Sequence, residues 1–228
     1  MSVLARPLKW PPILPLDKGL VLWLPFDERS GAKAYDRSGK NNYGTLSGPT
    51  RVAGRRGSAL SFDGVNDYVS VAHATELIPI TWTITGWFKW LSNPNTAGGR
   101  FTLVEKWVLG QGGYILDWTT DTKRLRSLSK TGVAEIYYSF NPTVETWYHF
   151  TVTYDTSTIA RLYKNGVLVA TSAAFDDGST SVALELGRRG ASGYFFNGVT
   201  CDVRIFNRAL SAAEVKRLSE SELMLVRH

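Results

Sequence analysis

Two kinds of residue in this chain have the chemistry for a site. Carboxylates and imidazoles can move protons or hold a metal, and large aromatics beside arginines can hold a sugar. Asp63 and Asp67 stand four apart around Gly64, in a turn, and Asp176–Asp177 are adjacent in a Gly-Ser loop, so neither pair is set to flank one bond. His73 and His149 have no nearby cysteine and no Gly-x-Ser-x-Gly partner, which removes support for a nucleophilic triad. His149 falls in a strand-like run and reads as structural. Cys201 is the single cysteine, which excludes an intrachain disulfide framework and a cysteine-clustered zinc site.

The aromatic option has more residues behind it. Tyr114, Leu116 and Trp118 share one strand face, with Trp107 and Tyr137 near in sequence, and Trp90, Trp107 and Trp118 border polar loops. Arg188, Arg189 and Tyr194 lie in a Gly-rich segment and form a second patch. Trp107, Tyr114, Trp118, Tyr137, Arg188, Arg189 and Tyr194 are therefore the candidate ligand-binding residues. Core packing is the alternative for the aromatics, because most of eight Trp in an all-β chain belong inside it.

These residues sit on short alternating runs. Gly19–Phe26, Phe101–Trp107, Tyr114–Trp118, Leu125–Ser129 and Ala134–Phe140 read as strands, as do Thr158–Lys164, Val182–Gly187 and Val199–Asn207. Ile80–Trp90 alternates Trp82, Ile84, Gly86, Phe88 and Trp90 against Thr81, Thr83, Thr85, Trp87 and Lys89. Thr146–Tyr154 is aromatic on both faces, which suits a central strand of a sandwich. Asn165–Gly166 predicts a tight hairpin returning through Val167–Thr171. Ser58–Phe62 and Tyr68–Val71 read as a strand pair bent at Asp63–Asp67, and Asp27–Gly48 as turns around short pairings. Ser211 and Glu214 form a capping box, and Val215 and Leu218 give the helix after it one apolar stripe. About a dozen short strands and one helix predict a two-sheet antiparallel β-sandwich, or jelly roll, as one domain over residues 19–218.

Composition agrees with a globular chain: 228 residues, 43% hydrophobic and 20% charged. No apolar run approaches the roughly 18 residues of a membrane helix. Met1–Leu20 has no uninterrupted apolar core and no small-residue cleavage site, so a secretory leader is not expected. Four prolines, at 7, 11, 12 and 15, make residues 1–18 an extended arm, and residues 219–228 a tail. The net charge of +6 comes from scattered clusters, with no zinc-finger or RNA-binding motif. A specific nucleic-acid partner is not expected; a solvated basic surface and attraction to acidic glycans both remain open.

Four segments, in order, resemble the laminin-G-like, concanavalin A-like lectin/glucanase jelly-roll family. They are Gly19–Glu28 with Asp36–Gly39, Leu60–Gly64 with Asp67–Val69, Trp147–Phe150 with Thr153–Asp155 and Leu162–Gly166, and Phe196–Gly198 with Val203–Ser211. The resemblance implies a β-sandwich that recognises a glycan or glycoconjugate. It also implies one structural Ca2+ at a rim site, for which Asp36, Asn42 and Asp202 are the candidates; Cys201 stands where the family usually has an acid. A pentraxin-type double-calcium site is excluded, because Arg188 and Arg189 occupy positions that require carboxylates. Family members that cleave β-glucans carry Glu-x-Asp-x-Glu on one strand, and this chain has no such run, so catalysis is not expected. A structural subunit of a virion or other surface assembly, docked on neighbouring subunits through residues 1–18, is the alternative reading. Such a subunit is made in the cytoplasm and ends on a virion or cell surface.

Overall fold

The computed structural model describes residues 16–55, 57–94, 100–132, 135–172, 175, 178–190 and 193–220. In chain order its strands begin with β1 (Leu20–Leu24), β2 (Lys33–Ala34), β3 (Gly44–Ser47), β4 (Thr50–Ala53), β5 (Ser58–Asp63) and β6 (Tyr68–Val71). Next come β7 (Trp82–Trp90), β8 (Arg100–Val108), β9 (Gly112–Thr119), β10 (Arg124–Leu128) and β11 (Glu135–Ser139). β12 (Trp147–Tyr154), β13 (Ala160–Lys164), β14 (Val167–Ser172), β15 (Leu184–Leu186) and β16 (Asn197–Phe206) precede helix α1 (Ala212–Glu220).

The strands form two antiparallel sheets of eight. The first runs β14-β13-β12-β7-β16-β5-β4, with β1 added alongside β16; the second runs β11-β10-β9-β8-β15-β6-β3-β2. Trp82, Ile84, Phe88 and Trp90 of β7 and Tyr148, Phe150, Val152 and Tyr154 of β12 meet Tyr114, Leu116 and Trp118 of β9 in one core. Burial drives this arrangement, at about 25 cal/mol per Å² of apolar surface. The hairpin after β13 turns at Asn165 and Gly166 with φ of 50° and 79°, the left-handed pair that a two-residue turn requires. α1 begins on the capping box: the Ser211 N–H donates to Glu214 Oε2 at 2.8 Å, and Val215 and Leu218 pack with Phe206 and Leu210.

Several expectations change. The Ser58–Phe62 and Tyr68–Val71 runs are not a pair. β5 lies in the first sheet beside β16 and β6 in the second beside β15, because the turn at Asp63–Asp67 crosses between the sheets. Asp67 fixes that crossing by accepting the Asp63 N–H at 2.9 Å. Ile80, 86% exposed, and Thr81 precede β7 rather than belong to it. β15 is three residues long, shorter than the Val182–Gly187 run, and β4 went unrecognised. The helix continues through Ser219 and Glu220, so those residues are not tail. Residues 1–15 of the arm and 221–228 of the tail lie outside the described residues, while Arg208 Nε donates to the Lys18 carbonyl at the root of the arm.

β15 is also the only link among the described strands between the two halves of the second sheet. It pairs with β6 over Leu184–Leu186 and with β8 through Glu185 and Leu186.

Candidate functional site

Alternation along the second sheet sends Val104, Leu116 and Leu125 to the core and the residues between them to the outer face. A register shift between Thr102 and Val104 keeps Glu105 and Trp107 on that outer face, where Trp107 packs with Ile115 and Leu128. Glu185 of β15 stands directly opposite Glu105. A second row crosses the sheet from Thr102 through Asp117 and Arg126 to Tyr137.

Between the two glutamates and Trp107 lies a cleft of about 260 Å³, walled also by Val108, Val182, Ala183 and Gly190. Arg188 donates to Glu185 from both Nε and Nη2 and lies over the Tyr68 ring at 3.4 Å. Arg189 approaches Glu105 Oε1 at 3.5 Å and sits 5.0 Å from the Trp107 ring centroid. Tyr194, 38% exposed, has Arg189 and Arg100 over its ring at 6.0 and 5.7 Å, and its carbonyl accepts the Thr102 N–H.

The electrostatics are unusual for a sheet surface. Glu105 is only 6% exposed and its Oε2 has no hydrogen-bond partner among the described residues. Burial pushes its carboxyl up to about 8; Arg189 pulls the other way, and Glu185 and Asp117 add to the rise. Burial also raises Asp117, against the pull of Arg126, whose Nε donates to it at 2.8 Å. On the opposite face of β8, Lys106 is fully buried, faces His73 Nδ1 at 3.1 Å and donates to the Val182 carbonyl, so it fixes one wall of the cleft from inside. Burial lowers its amine to about 8.

The structure sorts the sequence candidates. Trp107, 6% exposed, lines the cleft, Arg188 and Arg189 contact its two glutamates, and Tyr194 lies beyond them beside Arg189, while Tyr137, 42% exposed, lies further across the same face under Arg124 at 3.8 Å. Tyr114 and Trp118 are corrected: at 2% and 0% exposure they lie between the sheets and present no ring to a ligand. Their polar atoms are used inside, Tyr114 Oη donating to the Leu77 carbonyl and Trp118 Nε1 to that of Phe140. His149 is structural as expected, 2% exposed and bonded to the Thr85 hydroxyl. Asp176–Asp177 lie outside the described residues.

Asp36, Asn42 and Asp202 do not fit a calcium cage. The Asp36 carboxylate accepts from the Trp23, Ser38 and Asn42 N–H groups and the Ser38 hydroxyl. The Asn42 amide donates to the Val21 carbonyl and Glu76. Asp202, at a positive φ of 55° in the β16 bulge, is taken by the Trp23 indole at 2.6 Å and by the Arg204 guanidinium, which opposes a divalent ion. Among the described residues no three His, Cys, Asp or Glu side chains are grouped to hold a metal.

Sequence reasoning missed Glu105, Asp117, Glu185, Arg100 and Arg126. The signal was there: Glu105-Lys106 interrupts an otherwise apolar run, and adjacent strand residues point to opposite faces.

The fold and its outer-face cleft define a class, the two-sheet antiparallel jelly roll. Residues 63–216 match the Laminin_G_3 family, described as the concanavalin A-like lectin/glucanases superfamily, and the chain belongs to it. No curated protein matches the chain. Among solved structures, the binding domain of Paraclostridial Mosquitocidal Protein 1 is similar, with a TM-score of 0.72 and 20% identity over 90% of this chain and 52% of that one. The ligand binding domain of botulinum neurotoxin serotype D, in complex with N-acetylneuraminic acid, gives 0.73 and 14% over 92% and 52%. Domain 4 of AbnA, a GH43 extracellular arabinanase from Geobacillus stearothermophilus, in complex with arabinotriose, gives 0.66 and 17% over 88% and 98%. The chain thus spans about half of the toxin domains, and at these identities the likeness establishes the fold alone. No helix among the described residues is long and apolar enough to cross a membrane.

Proposed function

We propose that the protein is a non-catalytic glycan-binding module whose ligand rests on the outer face of the second sheet. One observation carries this reading: the cleft of about 260 Å³, lined by the exposed edge of Trp107 together with Glu105 and Glu185. An aromatic wall with a few convergent polar groups suits a polyhydroxylated ring, and the volume falls below the roughly 300–1,000 Å³ of drug-sized sites, so it takes about one sugar unit. Two structures of similar fold are described in complex with N-acetylneuraminic acid and with arabinotriose, which supports a saccharide as the class of ligand.

A glycan array with the full chain, run with calcium and with EDTA, tests this reading. Selective binding that Trp107→Ala reduces more than tenfold, with the fold intact by circular dichroism, is expected. No binding to any saccharide in either buffer sinks the reading, and release of reducing ends from a bound polysaccharide sinks the word non-catalytic.

A further inference from the structure

We infer that the cleft is specific for a carboxylate-bearing saccharide, whose acid group is held by Arg189 and Arg100 beside the Tyr194 ring, and that Glu105 gates it by competing for Arg189. This rests on the glycan-binding reading and names the chemistry of its ligand.

The cations around the cleft are not equally engaged. Arg188 is spent on Glu185 and Arg126 on Asp117 and Glu135. Arg100 makes no ion pair among the described residues; it lies 5.7 Å from the Tyr194 ring centroid and feels the buried Asp117 only through space. Among the described residues the one ion pair of Arg189 is with Glu105, at 3.5 Å, too long for a hydrogen bond, and the buried Asp117 attracts it more weakly. Glu105 takes up its proton at about 8, because it is buried and faces Glu185 across the strand pair and Asp117 from β9. At neutral pH Arg189 therefore faces an uncharged acid and keeps its charge for another anion. Arg189 and Arg100 converge on one aromatic ring, and Arg189 also touches Glu105 and Trp107 of the cleft, so a carboxylate between the two arginines places the attached sugar beside Tyr194 and next to those cleft residues.

The gate follows from the same geometry. When Glu105 ionises it becomes the better partner for Arg189 and repels an incoming carboxylate, so affinity falls as pH rises through about 8. The Lys106 amine titrates over the same range, but it lies on the core side of β8 against His73 and the Val182 carbonyl. A Glu105 variant separates the two groups.

The test is titration calorimetry on the full chain with oligogalacturonate, oligoglucuronate and sialyllactose, each beside its neutral counterpart: the methyl esters, and lactose. At pH 6.5 at least one acid is expected to bind ten times or more tighter than its counterpart, and to weaken at least tenfold by pH 9. In Glu105→Gln the ratio of affinities at the two pH values is expected to fall within twofold, whatever the affinity itself. Arg189→Lys and Arg100→Gln are each expected to cost the acid more than its neutral counterpart. Equal binding of acid and neutral partners, failure of every acid while neutral saccharides bind, or a pH loss that persists in Glu105→Gln overturns the inference and leaves the glycan-binding reading standing. Silence from acidic and neutral saccharides alike removes both.

Discussion

Replacing Glu105 by Gln should make the protein more stable, and more so at higher pH. An exposed carboxyl in the unfolded chain ionises near 4.5, whereas in the fold Glu105 keeps its proton up to about 8. Between those values folding takes up a proton, so stability is full below the lower value and falls as pH rises through the window. Each pH unit costs about 1.4 kcal/mol, which makes about 3 kcal/mol at pH 7 and about 5 kcal/mol above pH 8. Solvent does little to reduce this, since Glu105 is 6% exposed. Gln has the same shape and no charge, so the variant should gain about 3 kcal/mol at pH 7, roughly 6–12 °C in Tm for a chain of this length, and nothing at pH 4. Urea unfolding followed by tryptophan fluorescence at pH 4, 7 and 8.5 measures it. A variant that is less stable than the parent at pH 8.5 would refute the reasoning, because it would mean that Arg189 holds the ionised Glu105 strongly enough to outweigh the cost of its burial.

Trp118→Ala should cost about 3–5 kcal/mol as a large cavity opens between the sheets, and thermal unfolding measures it; a change below 1 kcal/mol would show that the ring is not core. Arg126→Ala strands the fully buried Asp117 carboxylate and should cost about 3–5 kcal/mol, while the double variant with Asp117→Asn recovers part of that, as a double-mutant cycle in urea would show. Calcium at millimolar concentration should leave Tm unchanged relative to EDTA, since Arg204 and the Trp23 indole already occupy Asp202; a rise of several degrees would mean that the carboxylates prefer the ion.

The fold was legible wherever one face of a strand is apolar and the other is not. Ile80–Trp90 and Thr146–Tyr154 alternate over several residues, so β7 and β12 follow from pattern, as does α1 from its capping box. Pairing was not legible. The Asp63–Asp67 turn looks like a hairpin locally, and only the packing of Phe62 and Val69 in a shared core reveals that the chain has changed sheets. The site was half legible for the same reason. Trp107, Arg188, Arg189 and Tyr194 announce themselves by residue type, but Glu105 and Glu185 are 80 positions apart and meet only through strand register. Tyr114 and Trp118 misled because an aromatic beside a polar loop looks the same in sequence whether its ring points in or out.

The lateness of β15 has a consequence for biosynthesis. The two portions of the second sheet that it joins are encoded by residues 33–71 and 100–139, whereas the joining strand and the arginines behind it arrive only at residues 184–189. A chain emerging from the ribosome therefore holds both flanks of the sheet before the piece that locks them together, and long-range closures of this kind are slow. Glu185 lies on that strand and Arg188 and Arg189 directly follow it, so a chain that has not yet reached residue 185 lacks one side of the cleft, and competence to bind reports that the two flanks have been joined.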